Sequence, residues 1–242
     1  MNANIIKFDF IHNEVRNPII IVYMFGYPLL IFVLMSNVMA SSFGSLQAAQ
    51  DFYFTRSMLF IQFSLGTMII NALIENRIKY SNLRLAYVLS RPFDIIMSKL
   101  LSLIFFNGLA IIFYIMACKV MFHIEIQMLF LKLTGTYLIC GFFSMNLGLI
   151  LILILRDESL TNNLFGIIQL LICILGGVFY PVCFLGGTFI RLSQYSLAKI
   201  VLQVMVEDNI KNNLYMNGGL LVVGMGLLFL SNKIFSVERL MI

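Results

Sequence analysis

Residues 18 to 39 read PIIIVYMFGYPLLIFVLMSNVM, an uncharged stretch longer than the ~20 residues a helix needs to cross the ~30 Å hydrocarbon core of a bilayer. Further apolar runs follow at 57 to 74, 100 to 122, 128 to 155, 160 to 178 and 218 to 234. Backbone polar groups in lipid must be satisfied within the protein, so only helices or a closed barrel can span. Continuous runs such as Ile19 to Leu34 and Leu147 to Leu155 lack the alternation of a barrel strand, which leaves helices. The 242-residue chain reads as an all-α polytopic membrane protein, a single transmembrane domain of six helices.

Composition agrees, with 61% hydrophobic and 11% charged residues and a mean hydropathy of +0.97, outside the range of soluble domains. Lys7, Arg16, Arg77, Lys79, Arg84, Arg91, Lys99, Arg156, Lys233 and Arg239 fall on one side of the alternating scheme. The other side holds Arg56, Lys119, Lys132, Arg191, Lys199 and Lys211. The positive-inside rule then places both termini in the cytoplasm. The net charge of +5 follows from this bias and from attraction to anionic headgroups, and calls for no nucleic acid. Val38-Met39-Ala40 before Ser41 resembles a signal cleavage site, but the apolar run before it is too long and its flank carries Asp9 and Glu14, so the first helix is expected to stay uncleaved. Much Ile, Asn, Lys and Phe with little Ala and Gly points to an AT-rich bacterial genome and to the cell membrane.

Three segments outside the spans are organised. Within residues 1 to 17, Ile5, Phe8, Ile11 and Val15 at helical spacing oppose Lys7, Asp9, Glu14 and Arg16, which predicts an amphipathic helix in the interface that turns into the membrane at Asn17-Pro18. Residues 75 to 99 are too long for a tight turn. Ile78, Leu85 and Leu89 fall near one helix face there and Arg91-Pro92 is a natural stop, so a short surface helix is expected, either a contact for a soluble partner or an anchor on lipid headgroups. Gly176-Gly177-Val178-Phe179-Tyr180-Pro181 interrupts the helix after the fifth run, and residues 179 to 217 are too apolar for a free loop. They read as a re-entrant or interfacial hairpin of helices on the outer side.

Within the spans, Gln62, Asn71, Asn107, Asn146 and Gln169 are the embedded amides, more often inter-helix bridges than ligand contacts. Ser144 and Gly148, like Ser36 and Ala40, have the small-xxx-small spacing that lets helices approach closely. Charge is nearly absent from the spans and no buried Asp, Glu, His or Arg is expected, whereas proton- and ion-coupled carriers need an ionisable group at mid-membrane. No H-E-x-x-H, G-x-S-x-G or phosphate loop is present, so no catalytic residue, metal site or cofactor is expected of this chain. Cys140 and Cys173 fall in spans, Cys118 and Cys183 lie toward the outer face, and His12 and His123 are isolated. They define no framework and no ligand set.

The order of these pieces resembles the permease subunits of type-2 ATP-binding-cassette exporters over nearly the whole chain. One motif carrying the resemblance is Glu75-Asn76-Arg77 through Leu83, Leu85, Leu89, Ser90 and Pro92 to Lys99. The other is Gly176-Gly177-Val178-Phe179-Tyr180-Pro181 with Leu185. The chain departs from the family pattern at Tyr80-Ser81-Asn82, where Gly-Thr is usual, at Gly186, where Pro follows Leu185, and around Tyr195 to Ala198, where a later Pro is missing. The resemblance implies a half-transporter that binds no ATP itself and works with a cytoplasmic ABC ATPase carrying ATP and magnesium and with a second permease chain, identical or homologous. It implies ATPase coupling through Glu75, Arg77, Tyr80, Leu83, Arg84, Tyr87 and Arg91, and an outer gate at Gly176, Gly177, Phe179, Tyr180 and Pro181. A path between spans one, two and five would offer Met24, Tyr27, Asn71, Asn146 and Gln169 to the cargo. Abundant Met, Phe and Leu with few fixed charges suit an amphiphile such as a drug, an antimicrobial peptide or a lipid. The absence of Trp sets the chain apart from the polysaccharide exporters of that family. A self-contained channel or carrier and an integral-membrane enzyme or immunity protein are the alternatives.

Overall fold

Asn17 and Pro18 turn the chain into its first long helix. The Asn17 side chain accepts from Ile19 N at 3.1 Å while Pro18 fills the first helical position, the expected division of labour at a helix start. The computed structural model describes residues 3–74, 93–124, 130–181, 186–206 and 210–234, and all regular structure among them is helical. Among the described residues, six helices are long and apolar enough to cross a membrane: Pro18–Phe43, Leu46–Ile74, Phe93–Phe122, Phe130–Leu155, Glu158–Leu175 and Lys211–Ile234. They are called spans one to six. A segment of helix, Ala3–Asp9 continued by Phe10–Val15, precedes them. Two short helices, Gly187–Ser193 and Leu197–Val206, stand between spans five and six.

The second span begins at Leu46, earlier than its apolar run, because the helix carries Gln47, Gln50, Asp51 and Arg56 in its first turns. Its 29 residues reach roughly 43 Å at 1.5 Å per residue, beyond the hydrocarbon core. Gly44 at φ 76 ends span one and Ser45 Oγ accepts from Ala48 N, so two helices join through a left-handed glycine and a serine cap. Arg156 at φ 60 and Asp157 do the same between spans four and five, with Asp157 accepting from Leu160 N at 2.6 Å.

Span two is the axis. It is buried along most of its length, whereas spans one, five and six bury one face only. The apolar core has two halves. One joins Phe32, Met58, Tyr114, Tyr137 and Val201 toward the end that holds the short helices. The other joins Met24, Ile69, Leu100, Met145 and Phe165 toward the N-terminal end. Between them lies a polar layer in which Gln62 and Asn107 exchange reciprocal bonds of 3.1 and 2.8 Å. A Cβ on Gly141 would fall 2.6 Å from Gln62 Oε1, so a glycine in span four makes room for the amide pair.

Next to this layer spans two and four touch backbone to backbone. Ser144 Oγ donates to Phe63 O at 2.6 Å and accepts from Gly66 N at 3.1 Å. A Cβ on Gly148 would overlap the Gly66 carbonyl. The small-residue spacing of Ser144 and Gly148 thus marks a true crossing, as small residues do in lipid, where close approach replaces hydrophobic drive. Gly148→Ala should therefore cost about 1–3 kcal/mol and lower the melting temperature in detergent, while Gly166→Ala, whose Cβ meets open space, should leave it unchanged. Equal melting temperatures for the two variants would refute the crossing.

Candidate functional site

The segment from 75 to 92 lies outside the described residues, and with it Glu75, Arg77, Tyr80, Leu83, Arg84, Tyr87 and Arg91. Span two ends at Ile74 and span three starts at Phe93, so the segment joins these two helices directly. The N-terminal helix lies at the same end of the bundle, against span three.

That contact buries Asp9 and Glu14, expected on the polar face of the N-terminal helix, against span three. Asp9 and Glu14 are only 4% and 3% exposed, while Phe8 and Val15 are 50% and 42% exposed. The cause is local geometry. Residues 10 to 15 form a widened turn in which N–H groups reach back five residues, as Arg16 N does to Ile11 O at 3.0 Å. A turn of that pitch brings residues five apart onto one face, where an ordinary helix would separate Asp9 and Glu14.

Span three supplies the partners. Asp9 accepts from Ser98 Oγ at 2.7 Å and pairs with Lys99 Nζ at 3.3 Å. Glu14 accepts from Ser102 Oγ. Phe10 fits edge-on against Phe105 and Phe106, at 5.4 and 6.0 Å between ring centroids. Spacing alone missed this cluster because Ser98 and Ser102 are ordinary span residues and the two carboxylates resemble a solvated face. Sequence reading placed no ionisable group inside the bundle, and Asp9, Glu14 and Lys99 correct that.

At the opposite end, the proposed gate is a built turn. Gly177 has φ +72, a left-handed conformation that favours glycine. Val178 N bonds back to Cys173 O at 3.0 Å, and Ser196 Oγ donates to Ile172 O at 2.8 Å. A Cβ on Gly176 would overlap Ala198, so this glycine lets the helix Leu197–Val206 seat its buried face, Ala198, Val201, Leu202 and Met205, in the core. Span two holds the turn from the other side. Tyr53 OH donates to Phe179 O at 2.6 Å, and Arg56 Nε donates to Gly177 O at 3.2 Å. Phe60 packs edge-on against Phe179 at 5.2 Å, and Tyr180 is exposed. Tyr53 and Arg56 are the anchors that sequence reading missed. An Arg near the beginning of a long helix was the available signal.

The five residues proposed for the path are not brought together. Met24 is fully buried in the N-terminal half of the core. Asn71 accepts from Asn162 Nδ2 at 2.8 Å, and Gln169 Nε2 reaches Phe60 O at 3.5 Å, so both bridge spans two and five. Asn146 Nδ2 donates to Phe142 O of its own helix, and its buried Oδ1 has no partner. Tyr27 alone is exposed, stacked on Tyr23 beside Pro18 and Val22. Cys118, Cys140 and Cys173 are buried free thiols, and Cys183 lies outside the described residues. Among the described residues, no group of three or more His, Cys, Asp or Glu side chains is placed to hold a metal.

The class that this architecture defines is an all-helical, multi-pass membrane protein. The chain matches no protein-family model, no curated protein and no solved structure.

Burial pushes the Glu14 carboxyl up to about 7 from 4.5, with the Ser102 bond opposing the rise and neighbouring Asp9 adding to it. The folded protein therefore holds an extra proton between these values. The stabilisation is complete below pH 4.5 and is lost as pH rises through about 7. Melting temperature in detergent should fall from about pH 5 to about pH 8, as the unfolding free energy drops by at most roughly 1.4 kcal/mol per pH unit. Glu14→Gln, neutral throughout, should flatten that fall; an unchanged slope in the variant would assign the proton elsewhere.

Proposed function

We propose that the chain is the transmembrane permease of an ATP-driven exporter, moving an amphiphilic or hydrophobic cargo out of the cytoplasm or the inner leaflet. A separate cytoplasmic ATPase would bind ATP and magnesium and engage residues 75 to 92, since Phe93 to Lys99 belong to span three. A second permease chain would close on the exposed faces of spans one and five, and the pathway would run between the two. Both termini would face the cytoplasm of a bacterial cell, and the short helices between spans five and six would form a re-entrant outer hairpin.

One observation carries the reading. Span two runs from the turn it holds through Tyr53 and Arg56 to Ile74, where residues 75 to 92 begin. From Arg56 to Ile74 that is roughly 27 Å of continuous helix at 1.5 Å per residue, buried on nearly all sides. A push on the loop would pass along this rod to the glycine turn, with no side chain of the permease taking part in chemistry. Alternation between inward and outward states would follow ATP binding and hydrolysis on the partner. The N-terminal helix, clasped to Ser98, Lys99 and Ser102, would hold the first turns of span three steady against the same push.

The buried Asp9, Glu14 and Lys99 favour a second reading, a proton-coupled carrier, because an ionisable group in the bundle is what such a carrier requires. Its weakness is position: the cluster sits at the N-terminal end of the bundle, away from the Gln62 and Asn107 layer.

Purification of the tagged chain in mild detergent should recover a roughly stoichiometric ATPase subunit, and Arg77→Glu with Arg84→Glu should abolish that recovery. A chain that purifies alone, and that transports in proteoliposomes without nucleotide, would replace the exporter by the carrier.

A further inference from the structure

A cleft of about 470 Å³ opens at the end of the bundle that carries the short helices. Its walls are Phe52 and Arg56 of span two, Gly176, Gly177 and Pro181 of the glycine turn, and Lys199, Leu202, Gln203 and Val206 of the helix Leu197–Val206. The volume falls within the range of small-molecule sites, which are mostly apolar with a few placed polar groups. Here the placed groups are two cations.

Arg56 is largely withdrawn from solvent, its guanidinium carbon 3.4 Å from the centre of the Phe52 ring. Nε donates to Gly177 O at 3.2 Å and Nη1 to Phe52 O at 2.7 Å, while Nη2 makes no bond among the described residues. Lys199 Nζ donates to Ser193 Oγ at 2.7 Å. Among the described residues, every partner of both cations is neutral and no carboxylate lines the cleft. Contrast Lys99 at the other end, whose burial is matched by Asp9 at 3.3 Å.

A cation withdrawn from water is costly unless an anion compensates it. Neutral carbonyls and a ring face recover part of that cost, and a phosphate oxygen meeting a guanidinium recovers more. Beside the cations, Phe52, Pro181, Leu202 and Val206 give an apolar wall. A group that satisfies both surfaces has an anionic head and a hydrocarbon tail.

We propose that this cleft binds the phosphate headgroup of an anionic membrane lipid, with Arg56 and Lys199 on the phosphate and the acyl chain along Leu202 and Val206. The site stands on the cleft and its two uncompensated cations, and is independent of the exporter reading. Its occupant would touch the glycine turn, the helix Leu197–Val206 and span two at once, and so would tie the turn to its surroundings.

The test is photocrosslinking of the purified full chain, reconstituted in phosphatidylcholine vesicles that contain a small fraction of a phosphatidylglycerol analogue with a diazirine on its acyl chain. Label is expected in peptides that contain 52 to 56 and 197 to 206. Unlabelled phosphatidylglycerol should compete it away, and extra phosphatidylcholine should not. Lys199→Gln should reduce labelling about fivefold and Lys199→Arg should retain it. Lys199 does not anchor the glycine turn, so this pair avoids the folding risk of Arg56→Gln. Equal labelling by a phosphatidylcholine analogue, or an unchanged yield in Lys199→Gln, would overturn the proposal. Competition by inorganic phosphate alone would also overturn it, by assigning the cleft to a free anion. Loss of ATPase recovery with labelling intact would remove the exporter and leave the lipid site standing.

Discussion

Gly148 reaches the backbone of Gly66 so closely that no side chain fits between them, and the rest of the bundle is arranged around the helix so fixed. Nearly every other element directs a polar group to span two. Tyr23 of span one bonds Ser64, Asn107 and Tyr114 of span three bond Gln62 and Phe54 O, and Tyr137 and Ser144 of span four bond Thr55 O and Phe63 O. Span five adds Asn162 and Gln169, and the glycine turn is held by Tyr53 and Arg56. Each bond is modest on its own, since helices separated in lipid can find other partners. Their common target is what matters, because a displacement of span two loads all of them together. Span six stands apart, bonded through Asn217 to Thr136 of span four and resting there against Phe142 at Gly224.

The two ends of the bundle handle charge in opposite ways. At the N-terminal end, Asp9 pairs with Lys99, and burial favours the protonated form of Glu14 beside them. At the other end, Arg56 and Lys199 face backbone, hydroxyl and ring. A single chain thus meets buried charge with an ionic partner or a proton at one end of its core and with neutral groups at the other. The polar layer of Gln62 and Asn107 between them carries no charge, as suits the depth at which desolvation is most costly.

Long features were legible in the sequence and local geometry was not. Six apolar runs gave six spans because the bilayer sets a length that few other constraints mimic. The Asn17-Pro18 start, the crossing at Ser144 and Gly148 and the bridging of most embedded amides follow from residue chemistry at fixed spacing. The first turns of span two were missed because Gln47, Gln50 and Asp51 dilute its hydropathy. The joint burial of Asp9 and Glu14 was missed because a 3.6-residue period separates them, while the widened turn unites them. The anchors Tyr53 and Arg56 could not be paired with Phe179 and Gly177 from spacing, since more than a hundred positions lie between.

Span one contains a second widened turn, Val22–Gly26, just before Pro28, with Tyr27 N–H reaching Val22 O. Such a turn is an ordinary helix with one residue to spare. Upstream of it the helix must keep Ile20 against the core; downstream it must keep Phe32 and Ser36 facing the core. The spare residue lets one helix obey two rotational settings that do not share a common period. The stretch from 22 to 26 is therefore where this protein can lose a residue during its evolution, tightening the wide turn into a normal one while both contacts keep their register.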